Sequence, residues 1–146
     1  MNNIVDSSCW LEYLAGTKAG EQVADVLAET SALFVPAIII YEVFKKLLLE
    51  TNEDKALFAA AHMRQGRVID LDTDLALLAA KLGREYQLPL ADSIIYASAR
   101  KYDCILWTQD KHFKGLESVR YVTGETKLPL FKRGVRNSIV TRRLQI

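Results

Sequence analysis

Short β-branched runs alternate along this chain with longer stretches of helical periodicity. Asn3-Ile4-Val5 reads as a buried strand, and a helix is expected from about Ser8 to Leu14, ended by Gly16. Gly20 to Ala28 is amphipathic, with Val23, Val26 and Leu27 on one face. Leu33-Phe34-Val35 is a second strand stopped by Pro36, which suits the first turn of the helix expected over Ala37–Leu49. A further helix is predicted over Asp54–Arg64 and a third strand at Val68-Ile69. Asp72, Thr73 or Asp74 then caps a helix carrying Leu75, Leu78, Ala79 and Leu82 in 3.6-residue register. Pro89 introduces a helix over about Ala91–Lys101, followed at once by the strand Cys104–Trp107 and a last short strand, Val119–Val122. Strands separated by helices imply an α/β fold whose central parallel sheet is flanked by helices.

The composition sharpens this picture. At 146 residues, 50% hydrophobic and 25% charged, the chain is long enough for one domain with a real core. Cys9 and Cys104 lie far apart and form no C-x-x-C pair, so neither a disulfide framework nor a zinc site is expected. The start has no basic segment leading into an apolar one, and the most apolar window, Leu33 to Val43, is broken by Pro36 and Glu42. A soluble, cytoplasmic protein without a membrane segment is the expectation.

The net charge of +1 hides an asymmetry. Lys127, Lys132, Arg133, Arg136, Arg142 and Arg143 make 127–146 wholly basic, while the rest of the chain carries 13 Lys/Arg against 18 Asp/Glu, a net of −5. An acidic body is a poor generic binder of nucleic acid, since backbone affinity comes from phosphate neutralisation. A nuclease of this charge would need divalent cations at an acidic centre and basic patches around it.

In open α/β sheets ligands bind beyond the carboxyl ends of the strands. Asp6 follows the first strand, and Thr108 and Asp110 follow the strand Cys104–Trp107. These two strands are the expected neighbours at the sheet centre, which brings both carboxylates to one edge. Asp92 opens the helix that leads into the second of them. Glu42 interrupts an almost wholly apolar helix, with Ile38 and Ile39 one turn before it. Four carboxylates meeting at one place repel and raise one another's pKa unless a cation compensates. Hard oxygen ligands select Mg²⁺ or Mn²⁺, which serve phosphoryl chemistry without a side-chain nucleophile. Each acid also has a plainer reading. Asp6 and Asp92 could cap helices, Asp110 could serve a turn, and Glu42 could pair with Lys46 at i+4. His62 and His112 read as bystanders.

The segments holding these acids resemble the PIN-domain family, in particular the VapC-type toxins of toxin–antitoxin modules. The matching pieces are IVDSSCWLEYL, VPAIIIYEVFKKL, LPLADSIIYASARKYDCILWTQDKHF and SVRYV, over about residues 1–123. The resemblance implies a PIN-like three-layer fold over 1–126, with Asp6, Glu42, Asp92 and Asp110 as the metal-binding catalytic set. Ser7 and Thr108 match the hydroxyl positions that orient those carboxylates. It further implies an Mg²⁺- or Mn²⁺-dependent endoribonuclease that cuts structured RNA (tRNA or rRNA) to inhibit translation. A homodimer neutralised by a cognate antitoxin would be the working form. A housekeeping PIN nuclease of RNA processing and a non-catalytic PIN-like binding module are the alternatives. The basic extension 127–146 departs from the family pattern and is read as an appended or disordered arm.

Overall fold

The computed structural model describes residues 1–123; the basic extension 127–146 lies outside the described residues. The elements follow in the order β1 (Asn2–Val5), α1 (Ser7–Ala15), α2 (Lys18–Ala28), β2 (Leu33–Pro36), α3 (Ala37–Glu50), α4 (Glu53–Met63), β3 (Arg67–Ile69), α5 (Thr73–Tyr86), α6 (Leu90–Lys101), β4 (Cys104–Thr108) and β5 (Val119–Tyr121). Among the described residues the five strands are all parallel, in the order β3-β2-β1-β4-β5, with six α-helices around them: the α/β architecture that the alternation predicts and the PIN-like fold that the resemblance implies.

β1 lies at the centre, paired to β4 with Ile4 opposite Leu106 and Val5 opposite Trp107. Ile4, Val5 and Leu106 are buried, so a shift of pairing by one residue would expose core side chains. The helices pack in sequence pairs, α1 on α2, α3 on α4 and α5 on α6. The α1–α2 pair is unusually close. A Cβ added at Gly20 would lie 2.5 Å from the backbone of Glu12 and Tyr13, so only glycine fits there. Gly16, at φ 73°, closes α1 in the left-handed conformation and returns its N–H to the last turn.

Trp10, Leu11 and Leu14 are buried in the core rather than offered to a partner. Pro36 is the last residue of β2 and the N-cap of α3, one step earlier than its expected place in the first helical turn. Its missing N–H costs nothing at either position. Asp72 is the cap of α5, accepting the Leu75 N–H at 2.8 Å. Cys9 and Cys104 are both buried and free, as their separation suggests. Among the described residues no helix is long and apolar enough to cross a membrane.

Candidate metal centre

The carboxyl ends of β1 and β4 build the centre of the site. Asp6 follows Val5, and its backbone N–H donates to the Trp107 carbonyl at 2.9 Å, extending the ladder by one rung. Its side chain is 4% exposed. One carboxylate oxygen accepts the Ser7 N–H at 2.8 Å, and the other accepts the Thr108 hydroxyl at 2.7 Å. Thr108 is the last residue of β4 and fully buried, and its Oγ1 in turn accepts the Asp110 N–H at 2.9 Å. One hydroxyl thus fixes the two acids relative to each other.

Asp6 is also the N-cap of α1, so capping does not take it away from this cluster of acids. The same holds for Asp110, which caps the short 3₁₀ turn Lys111–Phe113 by accepting the His112 N–H at 2.9 Å. Asp92 behaves otherwise. The N-cap of α6 is Pro89, with no side-chain cap bond, and Asp92 stands in the first turn. Its side chain, 13% exposed, meets His112 Nδ1 at 2.9 Å. The same ring nitrogen lies 3.0 Å from Asp110. Potential ligand atoms of Asp92, Asp110 and His112 all fall within 4.8 Å of one another. His112 therefore stands within the acidic cluster, where the sequence reading gave it no part. Its position two residues after Asp110, inside the KHF turn, was the available signal. His62 packs its ring 5.8 Å from Trp10 and 6.2 Å from Tyr13, far from this chemistry.

Glu42 lies outside that tight group but faces the same charges. Its expected partner, Lys46, pairs instead with Glu50 at 3.3 Å. Glu42 Oε1 is buried and has no hydrogen-bond partner. Burial pushes the Glu42 carboxyl up to about 7, and the nearby Asp6, Asp92 and Asp110 charges push the same way against a hydrogen bond from the Ser7 side chain. Burial likewise raises Asp92 to about 6, with Asp110 and Asp6 adding to it while the His112 hydrogen bond opposes. Asp6 is raised by burial as well, and by Asp110, against the bonds from Thr108 and Ser7. Glu42, Asp92 and Asp6 are therefore each raised in part by neighbouring acid charge, even though only Asp92 and Asp110 share the closest group.

Such a cluster stores electrostatic repulsion that a cation would relieve. His112 is held toward its protonated form, first by the hydrogen bond to Asp92 and then by the charge of Asp110. The donor set fits a hard divalent ion: carboxylate oxygens dominate, the neighbouring Cys9 is held as a thiol, pushed up to about 12 by burial and by Asp6, and one buried carboxylate oxygen lacks any other partner.

A family model described as the PIN domain matches residues 4–118. No curated protein matches the chain. Among solved structures, a toxin–antitoxin complex from Klebsiella pneumoniae is similar at a TM-score of 0.72 and 23% identity, covering 84% of this chain and 98% of that one. VapBC2 from Rickettsia felis, bound to a DNA fragment from its promoter, aligns at a TM-score of 0.68 and 12% identity, covering 84% and 100%. Mycobacterium tuberculosis VapC20, a toxin cleaving the sarcin–ricin loop, aligns at 0.62 and 18%, covering 75% and 92%. At these identities the likeness speaks for the fold.

Proposed function

The chain belongs to the PIN-domain family, and from that premise we propose that it is a metal-dependent endoribonuclease, the toxin of a toxin–antitoxin pair that cuts structured RNA such as tRNA or rRNA. The observation that carries this function is the buried, partnerless Oε1 of Glu42, a carboxyl raised by burial and by the charges of Asp6, Asp92 and Asp110. A fold gains nothing from that arrangement by itself, because an unpaired buried polar atom costs about 1–3 kcal/mol.

Asp6, Glu42, Asp92 and Asp110 would hold Mg²⁺ or Mn²⁺. Such an ion supplies Lewis-acid charge at a phosphodiester and acidifies the attacking water. Phosphoryl transfer leaves the protein mainly positioning to do. Thr108 and Ser7 do this for Asp6, which can neither rotate nor retreat while both oxygens are hydrogen-bonded. The Thr108 hydroxyl sets the Asp110 backbone against the same point. His112 bridges Asp92 and Asp110, orienting both and lending positive charge when protonated.

The structural neighbours that are toxin–antitoxin complexes support a protein inhibitor as partner. An arginine from such a partner would suit the acidic pocket, since a guanidinium meets carboxylates in planar, bidentate fashion. A homodimer is proposed on the resemblance alone, and 1–126 is taken as the PIN unit.

The test compares the full chain with its Asp6→Asn variant on total cellular RNA in Mg²⁺ or Mn²⁺, with sequencing of the RNA ends. The parent should give discrete new ends in a folded RNA, and the variant none while keeping its circular dichroism spectrum. Undiminished cleavage by the variant would remove Asp6 from the chemistry. Growth arrest on expression, relieved by Asp6→Asn, would separate a toxin from a housekeeping nuclease.

A further inference from the structure

α3 has two working faces. Ile39, Val43 and Leu47 repeat every fourth residue and are fully buried, anchoring the helix. Tyr41, Lys45 and Leu49 repeat in the same way on the opposite side, and Tyr41 is 57% and Leu49 75% exposed. Between the faces sits Glu42. A recess of about 280 Å³ opens there, lined by Tyr41, Glu42, Lys45, Lys46 and Leu49.

We infer that this recess is a subsite for one unpaired nucleotide of the RNA, with Tyr41 as its stacking platform and Lys45 as its phosphate anchor. This rests on the nuclease function proposed above. Three observations favour a nucleotide. First, Lys45 Nζ stands 5.7 Å from the Tyr41 ring centroid, over a π-face that an unstacked base could share or take. Second, Lys46 is engaged by Glu50, whereas Lys45 forms no ion pair among the described residues and keeps its charge for a phosphate. Third, Glu42 lines the recess and also faces Asp6, Asp92 and Asp110. A group seated in the recess is therefore in reach of Glu42, the one lining residue on which the other acids act. A polynucleotide meets that condition through its backbone, with one phosphate at the acids and the neighbouring base against Tyr41.

The recess is at the small end of ligand pockets, which suits one nucleoside and excludes a base-paired helix. Folded RNA is commonly read at loops whose bases can be splayed onto aromatic rings. The subsite would thus select the unpaired nucleotide beside the scissile bond, and would explain how an acidic body captures RNA. Two ammonium groups and an aromatic ring lie on the helix that carries Glu42.

The experiment measures fluorescence anisotropy of a fluorescein-labelled RNA hairpin with an unpaired loop, in Ca²⁺, against the full-length parent, Tyr41→Ala, Tyr41→Phe and Lys45→Gln. Cleavage of the same hairpin is read separately in Mn²⁺. Tyr41→Ala should weaken binding by roughly ten- to a hundredfold, and Tyr41→Phe should bind like the parent because it keeps the ring. Lys45→Gln should reduce the slope of log affinity against log salt by about 0.7. Equal affinity of parent and Tyr41→Ala, or no binding by the parent, overturns the subsite. Equal cleavage by parent and Tyr41→Ala overturns it too, and leaves the nuclease standing. Tyr41-dependent binding with no cleavage by the parent upholds the subsite and refutes the nuclease instead.

Discussion

Replacing Glu42 by glutamine tests the electrostatic character of the site without touching its shape. The Glu42 carboxyl is raised from 4.5 to about 7, first by burial and then by its acidic neighbours. A raised acid binds its proton more tightly in the folded than in the unfolded chain. Its contribution to stability is therefore complete below about pH 4.5 and disappears as pH rises through about 7. At 1.36 kcal/mol per unit, discounted for the solvent screening of a half-buried group, ionised Glu42 destabilises the metal-free protein by on the order of 2 kcal/mol relative to its neutral form. Glutamine is neutral at every pH and can donate to the neighbouring carboxylates. In EDTA the two proteins should unfold at similar temperatures near pH 4.5, whereas near pH 8.5 the variant should melt roughly 6 °C higher. Mn²⁺ should then close the gap by stabilising the parent, by about 2.7 kcal/mol at a hundredfold excess over its dissociation constant. Differential scanning fluorimetry across pH, with and without metal, measures all of this. Parallel stability curves for parent and variant in EDTA would refute the account, because ionised Glu42 would then be at ease where it sits.

Two further outcomes follow from the geometry. His112 is held toward its protonated form by Asp92 and Asp110, so its stabilising effect is present below its ordinary value of 6.5 and is lost as pH rises through the higher folded value. An NMR titration of the metal-free protein should find the His112 midpoint above 6.5 and an Asp92→Asn midpoint closer to it; an unshifted parent would contradict the bridge. Gly20→Ala places a methyl group 2.5 Å from the rigid backbone of Glu12 and Tyr13. The expected loss is on the order of 3 kcal/mol, read as a lower urea midpoint at constant slope, and an unchanged midpoint would mean that α1 and α2 can part cheaply.

The fold was legible because its signals are local. The runs Asn3–Val5 and Cys104–Trp107 are each followed at once by polar residues, and as expected neighbours at the sheet centre they bring Asp6 and Thr108 to one edge, as the pairing of β1 with β4 bears out. The glycine at position 16 and the aspartate at position 72 marked helix limits by their own chemistry. What stayed hidden depends on distance. Asp92 and His112 are twenty positions apart, and their contact is set by how α6 and the Lys111–Phe113 turn are rotated, which periodicity does not encode. Trp10, Leu11 and Leu14 fit a core or an interface equally well until α1 is seen packed on α2 and α3. Asp6 and Asp110 offered a choice between cap and site that need not be made, since each is a cap and the two also lie close enough for the charge of Asp110 to act on Asp6.

Thr108 ends a row of alternate buried side chains on β4 that begins with Cys104 and Leu106, and its hydroxyl meets Asp6. Folding and assembly of this acidic edge are consequently one event. A molecule with β4 mispaired by a single step would turn the threonine away and strand Asp6 without its donor, but it would also turn the apolar row toward solvent. Partly folded molecules should accordingly be inert, with activity tracking the folded fraction in a single step during denaturation.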